Sequence, residues 1–430
     1  IIYVNAQFDT EHWIAPFADA NNSANNTEQY LYLSTNKTTP FKVDIYNNNI
    51  LYTSVQISKG NPGRVSIDRS MMITSDNSQK FVKSKMGIHL VGEKKFFAHF
   101  RFSVPSHAEI ITSKGKAGLG NEFYAFTPAN NAARGNANST VGLIASEDNT
   151  IITLDHFNDV TLSNNEAVST TTVKSITLNK GESYILECLA NNYSNLDGLN
   201  TLHIKSTKPI SVTNGDFNLI SPNGSNNDVY MDQSSPIDRL GTEYISLKGN
   251  GNLNTGMEIV ALIATEDNTK YYINNNSVAK VLNKKGDITY ITSTDYNQAS
   301  SSIDAYNMYI KADKNIYAYQ MLAGVDAGPT GPNSYASGGM NILPHLLCLL
   351  PNKIEEFAYV NEIGSQSSFN VRLNIITEKG AIVKVNGNAL LSTNGPFAVP
   401  GTSNWETYMV PGVSGNISIE STKAVTAGIS

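Results

Sequence analysis

Apolar and polar residues alternate along most of this chain, and no sustained 3.6-residue stripe interrupts them, so the pattern predicts short strands and few helices. The same strand pattern returns four times. Ile88–His99 reads IHLVGEKKFFAH, Leu202–Thr213 LHIKSTKPISVT, Met308–Tyr319 MYIKADKNIYAY and Ile417–Gly428 ISIESTKAVTAG. They align without a gap and place Lys94, Lys208, Lys314 and Lys423 in one column, 114, 106 and 109 residues apart. A period this regular marks one supersecondary unit copied in tandem.

Each copy opens on a short acidic-aromatic strand: Thr10-Glu11-His12-Trp13, Asn121-Glu122-Phe123-Tyr124, Thr242-Glu243-Tyr244-Ile245 and Glu355-Glu356-Phe357-Ala358. An apolar strand follows and runs into a polar turn, as in Leu143–Thr150 (LIASEDNT) and Leu262–Thr269 (LIATEDNT). Asn47-Asn48-Asn49, Asn274-Asn275-Asn276 and Asn386-Gly387 supply hairpin tips, because Asn and Gly tolerate left-handed backbone angles. Lys-Gly turns come next at Lys59-Gly60, Lys180-Gly181 and Lys285-Gly286, and the lysine column is read as a closing hairpin. Six to eight short strands in each copy match the size of a β-sandwich and exceed a propeller blade of about 40–50 residues. The expected fold is therefore all-β, four sandwich-like repeats in a row over 1–105, 106–218, 219–325 and 326–430. The apolar run Ile342–Leu350 is expected to pack the third repeat on the fourth, and the Asn- and Ser-rich stretch Ser221–Ser235 to be exposed.

Composition narrows the function classes. Charged residues make up 16% of 430, well below the roughly 25% of typical soluble chains. The net charge of −6 comes with no basic stripe, which argues against nucleic acid. No apolar stretch reaches the ~20 residues of a membrane-spanning helix. Ile1-Ile2-Tyr3-Val4 with Val4-Asn5-Ala6 before Gln7 reads as the remnant of an export signal in residues 1–6. The other end stops inside the fourth copy's last strand, so the chain reads as a segment of a longer secreted protein. Cys188 and Cys348 sit in apolar runs and read as buried free thiols, although a disulfide between them stays open.

No nucleophile motif, phosphate loop or zinc spacing is present, and no catalytic, cofactor or metal residues are assigned. The Glu147-Asp148-Asn149 and Glu266-Asp267-Asn268 loops could hold calcium, but Glu378-Lys379-Gly380 shares their column and favours turn chemistry. Asp155, His156 and Asp159 read as solvated hairpin residues, and His89 and His203, in one strand column, as solvent-facing. The lysine column reads as structural. One pattern suits recognition: a polar, weakly charged loop follows every opening strand, at 18–29, 128–140, 248–256 and 361–368. Its candidate ligand-binding residues are Asn21, Asn25, Asn130, Asn131, Asn136, Asn250, Asn252, Asn254 and Ser365, which would form one amide-lined face for a protein or glycan.

Together GTEY at Gly241–Tyr244, ATEDNT at Ala264–Thr269, GESY at Gly181–Tyr184 and STKPISVTNG at Ser206–Gly215 resemble the N-terminal domain of the IgG-Fc-binding protein family, which is also widespread in bacterial surface proteins. The resemblance covers essentially the whole chain and marks strands and turns rather than a site. It implies a non-catalytic extracellular module, secreted or at the cell surface, of the kind found near the N-terminus of type IX-secreted proteins. The reading is thus an adhesion or binding module with an unidentified extracellular protein or glycan as partner. A structural stalk or self-assembling subunit is the alternative, and a carbohydrate-active enzyme with scattered residues the third.

Overall fold

The computed structural model describes residues 7–20, 29–104, 107–220, 227–249, 258–322, 325–326, 335–336, 338–346, 350–363, 367–368 and 370–430. Among these it is all-β, with only short 3₁₀ turns besides strands. The centre of each of the first three repeats is one long strand: Ile88–Val104, His203–Ile220 and Ala305–Leu322. Its first half pairs with the opening strand (Asp9–Ile14, Gly120–Tyr124, Gly241–Leu247) and with the first strand of a hairpin (Phe41–Asn47, Thr150–Asp155, Thr269–Ile273). Its second half pairs with an apolar strand (Gln29–Ser34, Asn138–Ala145, Ile259–Ala264) and with an inner strand that follows it (His107–Thr112, Asn227–Gln233, Gly339–Ile342). The two halves enclose one apolar core, such as Leu31, Leu33, Val43, Ile45, Leu90, Phe96 and Phe100 in the first repeat.

The lysine hairpin of the sequence reading is instead a bend in this long strand. Opening-strand register jumps at the same place in all three repeats: Asp9 and Glu11 face Phe96 and Val91, Gly120 and Glu122 face Ile210 and Lys205, Gly241 and Glu243 face Ile316 and Lys311. The extra residues form a bulge that lets the strand leave one sheet for the other, a known way to turn a sandwich corner. A polar interruption in an alternating run looks the same in sequence whether the chain reverses or merely bends. In the fourth repeat the strand does break, into Ile417–Ser421 and Val425–Ile429, and its two four-stranded sheets separate.

Turn chemistry follows the expectations closely. Asn48, Asn49, Asn149, Asn268, Asn274 and Asn386 all have positive φ, as do Gly60, Gly181, Gly286 and Gly380.

The four tandem repeats also pack against one another. First and second share a core in which Phe217, Val229 and Met231 join the first repeat's cluster. Gly142 passes so close to Pro16 that a Cβ would lie 1.7 Å from its carbonyl oxygen. Second and third meet through Tyr124, Phe126, Leu219 and Tyr230 against Ile259, Tyr317, Tyr319 and Met321. Third and fourth meet through Ile245, Tyr309 and Leu346 against Ile376, Trp405 and Met409, which agrees with the packing expected of the 342–350 run. The fourth then touches the first. Arg101, fully buried, donates to the carbonyls of Ala358 (2.8 Å), Tyr359 and Glu362 (2.9 Å), and its guanidinium stacks 4.0 Å from the Tyr32 ring centroid. The Glu356 carboxylate accepts the Gly60 N–H at 2.8 and 2.9 Å, and Phe357 packs edge-on to His99. The circuit is closed.

Inner strands gather where the repeats converge, so 227–233 is covered, against the exposure expected of its stretch: Val229, Tyr230 and Met231 are fully buried. Residues 221–226 lie outside the described part. The inner strand His107–Thr112 hydrogen-bonds to the first repeat's long strand, across the expected boundary at 105/106.

Candidate functional site

Three of the four column lysines share one contact. The ammonium groups of Lys208, Lys314 and Lys423 each donate, at 2.5 Å, to a backbone carbonyl at the neighbouring turn, of Asp148, Asp267 and Lys379 respectively. The Asp148 and Asp267 carboxylates in turn accept the N–H groups of Lys180 and Lys285 at 3.0 Å. These loops, tempting as calcium ligands, are thus occupied by lysine and backbone donors. Lys94 departs from the pattern and lies over the Phe41 ring.

His89 and His203 are buried, contrary to the solvent-facing reading. His89 stacks on Trp13 with centroids 3.7 Å apart and its Nε2 lies 2.9 Å from Glu11. His203 stacks on Tyr124, with Nε2 2.9 Å from Glu122 and Nδ1 2.7 Å from Asp155. The opening strand supplies both the aromatic lid and the carboxylate, which is why the column can bury an imidazole. The hydrogen bond from His89 is the largest influence holding the Glu11 carboxyl down at about 2. Asp155 therefore belongs to a packed pair, while His156 lies near Gly286 of the third repeat. Cys188 is buried and free, its thiol pushed up to about 12 by desolvation. Cys348 lies outside the described residues.

Of the loop candidates, Asn130, Asn131 and Asn136 are described; Asn21, Asn25, Asn250, Asn252, Asn254 and Ser365 lie outside. Asn130 is buried and its Oδ1 accepts the Ile220 N–H at 3.1 Å, a structural use. Asn136 is half-buried, and its carbonyl accepts from Asn218 at 2.7 Å. Asn131 is exposed and available to a ligand. The loop bases share a role that the sequence did not show: each grips the next repeat. Ala18 and Ala20 bond to Asn138 and Thr140, and the Ala129 backbone bonds to the Tyr290 hydroxyl. Gly249 accepts from Arg372 at 3.4 Å, and the 358–362 carbonyls accept from Arg101.

A second candidate lies at the centre. Glu109 on the first inner strand is buried and accepts the N–H groups of Ile110 (2.8 Å), Met231 and Met340 (both 3.2 Å), tying three inner strands together. Asp232 accepts the Ile342 N–H at 3.0 Å and pairs with buried Lys114 at 3.2 Å. Burial raises both carboxyls above their ordinary range, against the pull of these donors. Beside them are two adjoining cavities of about 260 and 360 Å³. Gln7, Pro344, Leu350, Phe357 and the strand segment 427–429 line both. The lining is mainly apolar, with Arg239 and His345 at one side. No cluster of three metal-ligating side chains occurs among the described residues.

No curated protein matches the chain. Among solved structures, two B repeat units (B1B2) of the collagen binding protein of Staphylococcus aureus are similar at 10% identity, over 98% of this chain and 92% of that one, with a TM-score of 0.09. A likeness that slight carries no argument. The profile of the family described as IgGFc binding protein matches residues 108–429, spanning the second, third and fourth repeats, and the chain belongs to that family.

Proposed function

We propose that this chain is a non-catalytic binding module, displayed on a cell surface or secreted as part of a larger protein, that captures an extracellular protein or glycan. Membership of a binding family over 108–429 carries the reading. The closed circuit of repeats supports it, because it offers a rigid frame from which the weakly charged loops can present amide and hydroxyl groups. The bacterial surface-protein branch, with export by a type IX route, is the setting we favour on the motifs quoted above. The family's printed name makes immunoglobulin Fc the first ligand to try.

The test is a glycan and host-protein array, Fc included, probed with the 430-residue chain. A second probe carries Asn131→Ala and a Gly-Ser replacement of 250–256, leaving the junction residues Asn130, Asn138 and Thr140 intact. Binding that drops at least tenfold in the second probe is expected. Binding unchanged by these substitutions removes the loops from the site, and no binding by either probe favours a self-assembling structural role.

A further inference from the structure

At three junctions a hairpin-tip residue with positive φ packs against a glycine of the next repeat whose φ is also positive: Asn49 on Gly181, His156 on Gly286 and Asn274 on Gly401. Asn49 then donates to the Lys180 carbonyl at 2.5 Å, and the Asn274 amide bonds to the Asp295 carbonyl and the Tyr309 N–H. His156 departs from this pattern. It is exposed, and neither ring nitrogen has a hydrogen-bonding partner among the described residues. Beside it a groove of about 560 Å³ runs along the seam between the second and third repeats, a volume within the range of small-ligand sites. Both walls are held in place. The Tyr290 hydroxyl bonds to the Ala129 backbone and to the Asn200 amide, and Ile288 packs on the apolar cluster that contains Tyr124.

The groove's polar groups are left unused by the fold. Thr201 lines it, is only 8% exposed, and its hydroxyl has no partner among the described residues. Its φ of 58° is a left-handed conformation that β-branched residues rarely adopt, and such strain collects at functional sites. Asn158 commits its Nδ2 to the Asn200 carbonyl at 3.0 Å, and Asp287 commits Oδ2 to the N–H groups of Asn283 and Lys284. Their other oxygens, and the Thr289 hydroxyl, have no partner among the described residues. No Lys or Arg is among the residues that line the groove. We propose that this seam binds a short neutral saccharide, its hydroxyls bonding to His156, Asn158, Thr201, Asp287 and Thr289 and its C–H face resting on exposed Val281. Unpaired hydroxyl, amide, imidazole and carboxylate groups together suit a ligand whose polar atoms both donate and accept, as sugar hydroxyls do. The carboxylate, with no cation beside it in the lining, disfavours sialylated and sulfated sugars. This inference rests on the binding-module reading but uses a different surface from the loops.

The probes are neutral oligosaccharides of galactose, glucose, mannose, N-acetylglucosamine and N-acetylgalactosamine, printed on an array beside sialylated and sulfated counterparts. The 430-residue chain is expected to bind at least one neutral member, which is then titrated in solution by calorimetry. His156→Asn places there the residue that the other two junctions use and that tolerates positive φ. Thr289→Val keeps the shape of the side chain and removes its hydroxyl. Each is expected to weaken binding at least threefold, and the pair at least tenfold, with an unchanged thermal transition. Should one variant fold poorly, the other decides. The loop probe, with Asn131→Ala and 250–256 replaced, is expected to bind the saccharide as the parent does. Binding of no neutral glycan overturns the proposal, as does a preference for the charged counterparts or affinity that both seam variants leave intact. Capture of proteins alone overturns it and spares the binding-module reading. A saccharide lost only in the loop probe also overturns it and moves the site to the loops.

Discussion

His12, Phe123, Tyr244 and Phe357 occupy one column of the opening strand, and two of them reach the same kind of acceptor. His12 Nε2 lies 3.0 Å from the Phe96 carbonyl, and the Tyr244 hydroxyl donates to the equivalent Ile316 carbonyl at 2.6 Å. The imidazole is fully buried, and desolvation lowers it to about 4, only partly offset by the Phe96 carbonyl and by Asp9 and Glu11. A histidine depressed on folding contributes stability that is fully present above its unfolded value of about 6.5 and is lost as pH falls toward 4. His12 alone should withdraw about 2 kcal/mol between pH 7.5 and pH 5. His12→Tyr, which enlarges a fully buried side chain, should cost about 1–3 kcal/mol at neutral pH and flatten that slope. His99, held well below its usual value by burial, and His89 and His345, also lowered by burial, keep further acid sensitivity. Urea unfolding at the two pH values measures this, and a variant as acid-labile as the parent refutes it.

Strands and turns were the legible part, because their causes are local. Alternation, Asn tips and Lys-Gly turns each act within a few residues, and the left-handed angles at Asn149, Asn268 and Gly286 are those the sequence asks for. What the sequence hid are contacts across repeats. The burial of His89 depends on Trp13 and Glu11, 76 and 78 residues away. The covering of Asn227–Gln233 depends on two other inner strands. The loop candidates were legible as polar loops, but not that their bases serve as junctions. Gly142 makes the same point at the scale of one element. It looks like a weak spot in an apolar strand, yet the strand passes the Pro16 carbonyl there at a distance only glycine allows. Gly142→Ala should part the first and second repeats and destabilise the chain by about 2–4 kcal/mol. Gly135→Ala, with open space around the added carbon, is the neutral control. Thermal unfolding of both variants decides it, and equal transitions would mean that the junction yields.

Closure of the circuit concentrates on few groups. Neighbouring repeats share apolar clusters, whereas the fourth reaches the first mainly through Arg101, the Glu356 cap on Gly60 and an exposed ion pair of Arg64 with Glu362 at 3.5 Å. That ion pair is half in water and contributes under about 1 kcal/mol. Arg101 is different in kind: burial lowers its guanidinium only to about 10, so it stays cationic at neutral pH, and of its three carbonyl acceptors that of Ala358 is buried and those of Tyr359 and Glu362 are half-buried. Arg101→Met keeps the stack over Tyr32 partly filled but removes the buried Ala358 carbonyl's donor, while the Tyr359 carbonyl keeps the Glu362 N–H at 3.0 Å, at a cost of about 2 kcal/mol. The cost should fall on one junction rather than on any repeat's own core. Calorimetry should then resolve the fourth repeat as an earlier transition, and small-angle scattering just above it should show a larger radius of gyration while the first three repeats stay folded. Arg64→Ala should leave both readings unchanged. A single cooperative transition shifted as a whole in Arg101→Met would mean that the repeats melt together whatever holds the last junction, and that closure adds stability without being a separate step.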